Sequence, residues 1–170
     1  MKKRFRGGLL GCAAVLLCAC GEGPPPAPEG GVVIPVSPPP EELNHIICQA
    51  RETIPEFIEN LNHPAPDRGN FQVKYPFEAD PGSGFSHEHI WLTDIRADNG
   101  SYYGTLSNEP RYCTGLIRGA EVPFLIENIS DWMYTRGETI IGGRSIKFLI
   151  EGISEAERNA ETAAYYKKFQ

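Results

Sequence analysis

Apolar residues recur at spacings of three and four in the segment that follows residue 40. This spacing places them on one face of an α-helix, so it predicts an amphipathic helix with one buried side. Pro40 followed by Glu41 and Glu42 is typical of a helix start, because proline loses no hydrogen bond in the first turn and the carboxylates complement the helix dipole. Pro55 interrupts the backbone hydrogen bonds of the helix, so we expect a kink or two short helices in line. The stripe consists of Leu43, Ile46, Ile47, Ala50, Ile54, Phe57, Ile58 and Leu61.

The pattern then changes to the alternation of a β-strand. Phe71, Val73 and Tyr75 are apolar and their neighbours are polar, which predicts a strand with one buried face. Lys74 falls on its outward face. A second strand is predicted from His87 to about residue 97, and Asp98-Asn99-Gly100 is a tight hairpin signal, so the strand Ser101 to Leu106 should lie antiparallel to it.

Two later apolar runs, 121–127 and 129–135, predict further strands. Gly142-Gly143 indicates a backbone position that tolerates no side chain, either a bulge or a close approach to a neighbour. Ser154 and Glu157 form a capping-box pair ahead of an Ala-rich helix. The predicted fold is therefore α+β, with an amino-terminal amphipathic helix packed on a curved antiparallel sheet of about five strands and a short carboxy-terminal helix.

The amino terminus has the features of a secretory signal. A basic start, residues 2–6, precedes an apolar run from Leu9 to Ala19 that is too short to span a bilayer. Leu17-Cys18-Ala19-Cys20 resembles the lipobox of bacterial lipoproteins, which implies acyl chains on Cys20. The resemblance also implies the periplasmic face of the outer membrane, because Gly21 stands where an aspartate would retain a lipoprotein at the inner membrane. An unlipidated cleaved signal, or a buried helix, is the alternative.

Residues 21–40 contain eight prolines and little that could form a core. This composition predicts a semi-rigid tether, with a Pro-rich ligand for a partner domain as the alternative. The predicted organisation is a signal peptide at 1–19, a lipidated cysteine and tether at 20–40, an α+β domain at 41–152 and a carboxy-terminal helix at 153–170.

Net charge excludes one class of partner. Removal of residues 1–19 would leave a formal charge of −10, which opposes binding to nucleic acid and to anionic headgroups. We therefore expect membrane attachment through the acyl chains on Cys20.

Several polar residues are candidates for chemistry. His87 and His89 share one strand face, as half of a metal site would, but only the distant His45 and His63 could add imidazoles, so we predict no metal and no cofactor. Glu88 shares the face of the apolar residues that follow it and must be hydrogen-bonded there. Lys74 could pair with it only if the register shifts by one. Asp131 should likewise cap a turn or accept backbone N–H groups.

Cys48 and Cys113 are the thiols that remain beyond the signal region and Cys20. In an oxidising compartment they either form a disulfide or stay free, and both alternatives stay open.

Several motifs follow one another in an order that resembles the YegJ-like family, a bacterial domain of unknown function. The resemblance covers roughly Leu43 to Leu149. The family occurs alone, behind lipoprotein signals and beside repeat modules, and the resemblance implies a layout but no mechanism. The motifs are Glu88-His89-Ile90-Trp91, the segment from Gly104 to Pro110, the segment from Ile129 to Tyr134, and Gly142-Gly143.

We interpret the chain as a membrane-anchored lipoprotein whose domain is a non-catalytic module that binds an envelope protein or a small ligand. One alternative is a small envelope hydrolase that uses Glu88, His89 and Asp131. Another is an immunity protein that occludes a toxin. The two tryptophans form either the floor of a binding site or part of the core. The candidate binding residues are Glu88, His89, Trp91, Asn108, Asp131 and Trp132.

Overall fold

Six antiparallel strands form one sheet in residues 41–169, the part of the chain that the computed structural model describes. The predicted signal peptide, Cys20 and the tether lie outside these residues. The strand order is β4-β3-β2-β1-β5-β6, so β1 lies near the centre. The strands are β1 (Arg68–Glu78), β2 (His87–Asp98), β3 (Ser101–Leu106), β4 (Glu121–Phe124), β5 (Asp131–Arg136) and β6 (Thr139–Gly142).

The predicted α+β class is confirmed, with one strand more than expected. β6 has four residues and follows the turn at 137–138, and its pairing with β5 forms a hairpin that was not predicted because the apolar run at 139–142 is short. The predicted strand at 121–127 is shorter than expected, because it ends at Phe124 and the segment Ile126–Asn128 forms a 3₁₀ turn.

Two helices cover one face of the sheet, α1 (Glu41–Glu52) and α2 (Ile54–Asn62). The helix is interrupted at Thr53, and Pro55 lies in the first turn of α2, so the prediction of two short helices is confirmed. Phe57 is fully buried, and its ring centroid lies 5.6 Å from that of Trp132. The Trp132 indole N–H donates to the Ala50 carbonyl oxygen at 2.9 Å and so fixes α1 to β5.

The core lies between these helices and the sheet. Val73 of β1 is opposite Leu92 of β2 and Trp132 of β5, and all three side chains are fully buried. The predicted alternation of β1 is therefore confirmed, since its apolar residues form the core face. No helix in the described residues is long and apolar enough to cross a membrane.

Two turn predictions are confirmed by backbone conformation. Asn99 and Gly100 join β2 to β3 with φ values of 49° and 83°, as expected for the primed turns of tight hairpins. Gly142 has a φ of +79°, and a Cβ there would lie 2.2 Å from the Trp132 carbonyl oxygen. The close approach predicted at Gly142-Gly143 is thus present.

The carboxy-terminal region differs from the prediction. A helix, α3 (Arg144–Glu151), follows β6 directly and was not predicted. The final helix, α4 (Ala160–Tyr166), is capped by Asn159, whose side-chain oxygen accepts the Thr162 N–H at 2.7 Å. The Ser154 hydroxyl donates to the Glu157 carboxylate, which is not the side-chain to backbone pairing of a capping box, and the extended backbone of Asn159 separates this turn from α4. The prediction that Ser154 caps the carboxy-terminal helix was therefore wrong, because Asn159 caps it.

Candidate binding site

Lys74 lies between two potential partners on the central strand. It is opposite Trp91 of β2 on one side and opposite Asp131 of β5 on the other. Because side chains alternate along a strand, these three residues lie on the face opposite the core residues Val73 and Trp132. This face carries the candidate site.

The Lys74 ammonium is enclosed by protein. Its Nζ atom lies 5.8 Å from the centre of the Trp91 ring and 3.4 Å from Ser145 Oγ in α3. Burial lowers the pKa of Lys74, while the nearby Asp131 carboxylate acts in the opposite direction. Lys74 is on the predicted face, but the alternation did not predict that its charge would be buried there.

Asp131 is fully buried, and both carboxylate oxygens accept backbone N–H groups. One accepts from Trp132 at 2.9 Å, and the other from Ser145 at 2.7 Å, in the first turn of α3. Burial raises the pKa of Asp131, whereas these hydrogen bonds and the Lys74 ammonium oppose that increase. The prediction that Asp131 accepts backbone N–H groups is confirmed, and the carboxylate also caps α3.

His89 is held by Ser130, and only part of its side chain remains exposed at the surface. The His89 Nδ1 atom lies 2.8 Å from Ser130 Oγ, and the Ser130 hydroxyl donates to the Lys74 carbonyl oxygen at 3.1 Å. Since that hydroxyl proton is engaged, we assign the neutral ring as Nδ1–H donating to Ser130, with Nε2 left as an acceptor. Burial of the ring, followed by the charges of Lys74, His87 and Arg51, lowers the pKa of His89 to about 4.

Arg51 extends from α1 to the loop before β5. Its Nε donates to the Ile129 carbonyl oxygen at 2.9 Å and a terminal nitrogen donates to that of Asn128 at 3.3 Å. These bonds bring the guanidinium next to Ser130, the residue that holds His89. We refer to Arg51, Lys74, His87 and His89 as the basic cluster.

Glu88 faces away from this cluster. Its carboxylate accepts the N–H groups of Arg111 at 3.0 Å and Tyr112 at 2.7 Å, which confirms that it is hydrogen-bonded. Glu88 is opposite Phe77 in the strand pair and shares the core face, so it lies on the other side of the sheet from Asp131. Its role is to organise the loop between β3 and β4.

The two tryptophans also lie on opposite faces. Trp132 is fully buried in the core, whereas Trp91 is partly exposed beside Lys74. Asn108 is exposed in the loop after β3, and its side-chain oxygen accepts from Ser107, whose hydroxyl lies 2.9 Å from the Trp91 carbonyl oxygen. The structure therefore brings His89, Trp91 and Asp131 to one face, with Asn108 at its border, and separates Glu88 and Trp132 from them.

Cys48 and Cys113 are both free, so the disulfide alternative is not formed. Cys48 is exposed on α1, while Cys113 is buried after β3 and its thiol donates to the Glu78 carbonyl oxygen at 3.3 Å. Burial raises the pKa of Cys113 to about 11. Within residues 41–169, no group of three or more His, Cys, Asp or Glu side chains is placed to hold a metal ion.

Three residues of the site were not singled out from the sequence, namely Arg51, Ser130 and Ser145. Ser130 lies inside the motif Ile129 to Tyr134, which was a usable signal. Ser145 follows the Gly142-Gly143 pair, and the signal for it was that Gly143 can serve as the N-cap of a helix. Arg51 lies on the polar side of α1 and has no distinguishing pattern, because its partners are carbonyl groups far away in sequence.

A family model that covers most of the described residues places the chain in a class of proteins conserved in bacteria. It belongs to the family described as uncharacterized protein conserved in bacteria (DUF2314), which matches residues 40–166. It is 40% identical over 110 residues to the uncharacterized protein YegJ of Escherichia coli strain K12, covering 65% of this chain and 68% of YegJ. The resemblance inferred from the motifs is thereby confirmed.

A second relative is a putative ankyrin repeat protein of Neisseria meningitidis serogroup B. The two are 37% identical over 93 residues, which cover 55% of this chain and 37% of that protein. The chain thus matches little more than a third of this relative. No solved structure matches the chain.

Proposed function

We propose that the domain is a binding module of the bacterial envelope whose ligand contacts the exposed parts of His89 and Trp91. The burial of Lys74 between Trp91 and Asp131 is the observation that carries this proposal. Burying two opposite charges on neighbouring strands is costly, and two apolar side chains would serve the fold as well or better. We infer that the Lys74 charge serves binding rather than stability, through its effect on the adjoining surface where part of His89 is exposed.

Binding fits the geometry better than hydrolysis. Asp131 is fully buried with both oxygens engaged, and Glu88 is bound to backbone N–H groups on the opposite face. Two carboxylates on opposite sides of a sheet cannot act as acid and base on one bond. The arrangement therefore supports a site in which His89 and Trp91 provide contacts rather than chemistry.

Partner recovery from envelope extracts tests the proposal. His89→Ala and Asn108→Ala should recover less of any partner that the wild-type protein retains, with nearly unchanged melting midpoints. His63→Ala is the matched control, because His63 is an exposed histidine at the end of α2. Wild-type recovery by His89→Ala, or a loss of stability as large as that of Trp132→Ala, would contradict a binding role.

We also propose that acyl chains on Cys20 anchor the domain to the outer membrane. The lipobox-like sequence before Cys20 supports this, and two or more chains give stable anchoring. Cys20→Ser should abolish the lipid adduct and membrane fractionation. Cys12→Ser is the control, since Cys12 also follows a leucine-rich segment. An unchanged lipid adduct in Cys20→Ser would disprove the assignment.

A further inference from the structure

The basic cluster indicates the chemical class of the ligand. We propose that the site binds an oxyanion, a carboxylate or a phosphate, on a ligand whose apolar ring packs on Trp91 while the oxyanion contacts His89. This inference rests on the proposed function and makes it more specific. It concerns the exposed surface formed by His89 and Trp91 together with the charges behind it.

The distribution of charge is the first argument. The chain has a formal net charge of −6 with its histidines neutral, yet Arg51, Lys74 and two histidines converge here from α1, β1 and β2. Asp131, the carboxylate that acts on Lys74, is fully buried and both its oxygens accept backbone N–H groups. The positive field at the accessible surface comes from Arg51 and from the part of the Lys74 charge that Asp131 does not offset, and it attracts an anion to a region of an otherwise acidic protein.

The tautomer of His89 is the second argument. Ser130 holds Nδ1, so Nε2 is the ring atom available to a ligand. Burial of the ring lowers the pKa of His89 most, and the other groups that lower it, Lys74 from β1, His87 from β2 and Arg51 from α1, are all basic. A bound oxyanion would offset their field and raise the pKa. Nε2 would then take a proton from solvent and donate it in a charge-assisted hydrogen bond to the oxyanion.

Trp91 supplies the third argument. It is partly exposed, and the Lys74 ammonium lies 5.8 Å from its ring centre, so the ring is held between a fixed charge and the surface. Large aromatic side chains beside a few polar groups are typical of ligand sites. A ring on the ligand could pack against the indole while its oxyanion reaches His89. A small free anion would lack the first of these contacts.

Four probes separate these contributions, namely benzoate, benzamide, acetate and inorganic phosphate. Calorimetric titration of the full-length chain in detergent should show benzoate binding at least about tenfold more tightly than benzamide, its neutral analogue, below pH 6. Acetate should bind more weakly than benzoate because it has no ring. Titration in two buffers with different ionisation heats should show proton uptake, and affinity should fall as pH rises.

Variants identify the site. His89→Gln should abolish the proton uptake, and Arg51→Gln should weaken benzoate several-fold. Lys167→Gln removes one positive charge from an exposed position beyond α4 and should bind benzoate as the wild type does. Trp91→Ala should reduce the affinity for benzoate to that for acetate. Neither acetate nor inorganic phosphate has a ring, so tighter binding of phosphate than of acetate would identify a phosphate ligand, and the reverse order a carboxylate ligand.

Two outcomes would overturn the inference. If benzamide binds as tightly as benzoate, the surface is a ligand site but not an anion site. If none of the probes binds at millimolar concentration, or if Lys167→Gln weakens benzoate as much as Arg51→Gln does, oxyanion recognition at this cluster is wrong. Partner recovery by the His89→Ala variant still decides the proposed function independently, since it needs no assumption about the ligand.

Discussion

Lys74 and Asp131 lie directly opposite each other on β1 and β5, on the sheet face that carries the candidate site. Asp131 reaches Ser145 in α3, while Lys74 reaches the Trp91 ring in β2. This one cross-strand pair therefore connects the unpredicted helix α3 with the surface that carries His89. Stability and binding should be coupled through it.

Asp131→Asn should destabilise the domain strongly. The substitution leaves the Lys74 ammonium buried without its carboxylate and weakens the cap on α3. Leaving a buried charge without the opposite charge that compensates it costs about 3–5 kcal/mol. Urea unfolding monitored by tryptophan fluorescence should show a decrease of this size in the free energy of unfolding.

The double variant Lys74→Met/Asp131→Asn provides the control. Methionine fills the space of the lysine stem without a charge, so the double variant should be more stable than Asp131→Asn alone. If the double variant is no more stable than Asp131→Asn alone, the two side chains do not interact and the proposed coupling is absent.

Gly142→Ala should be among the most destabilising single substitutions. A Cβ there meets the Trp132 carbonyl oxygen at 2.2 Å and must also adopt a φ of +79°. We expect a loss of more than about 3 kcal/mol in thermal or urea unfolding. Two other glycines separate the causes. Gly84 has a positive φ but open space around it, so Gly84→Ala should cost about 1 kcal/mol. Gly115 has neither a positive φ nor a close neighbour, so Gly115→Ala should be nearly neutral. Equal effects at all three positions would contradict this account.

Trp132→Ala should act mainly as a folding defect. Trp132 is fully buried, packs on Phe57 and donates to Ala50, so truncation should cost about 3–5 kcal/mol. Trp91→Ala should cost clearly less because the ring is partly exposed. Melting midpoints of the two variants provide the comparison. Loss of stability in Trp91→Ala equal to that in Trp132→Ala would mean that Trp91 belongs to the core rather than to the site.

The stability of the domain should fall between pH 6.5 and pH 4 because of His89. Unfolded His89 takes up a proton below its ordinary pKa of 6.5, whereas in the folded protein its pKa is about 4. The unfolded state therefore binds more protons in this range, so acidification favours unfolding.

His89→Gln isolates this contribution. Glutamine does not titrate and can still donate to Ser130, while the other histidines are present in both proteins. Urea midpoints measured near pH 7 and near pH 4.5 should fall less in His89→Gln than in the wild type. An equal decrease in both proteins would show that the pKa of His89 is not lowered by folding.

Local patterns in the sequence predicted the features that depend on near neighbours. The helix stripe, the break at Pro55 and the turn at Asn99-Gly100 are confirmed because periodicity and turn chemistry determine them. The hydrogen-bonded states of Glu88 and Asp131 were also predictable, since a carboxylate in an apolar strand requires partners. The identity of those partners was not predictable.

The remaining features depend on long-range pairing. Alternation placed Lys74 on an outward face, but only the register of β1 with β5 shows that Asp131 is opposite and that the charge is buried. The helix α3 has apolar residues at four of its eight positions, too short a run to distinguish a helix from a strand. The basic cluster combines α1, β1 and β2, and no single segment contains its pattern.

The place of β1 in the sheet has a consequence for how the chain reaches its folded state. One neighbour, β2, follows β1 directly in the sequence, but the other, β5, comes much later. The hydrogen bond between Ser130 and Lys74 spans 56 residues. Until β5 has emerged, one edge of β1 has no partner and Trp132 is missing from the core. A chain interrupted before that point would expose an unpaired strand edge, so slow folding and aggregation of truncated products are expected of this topology.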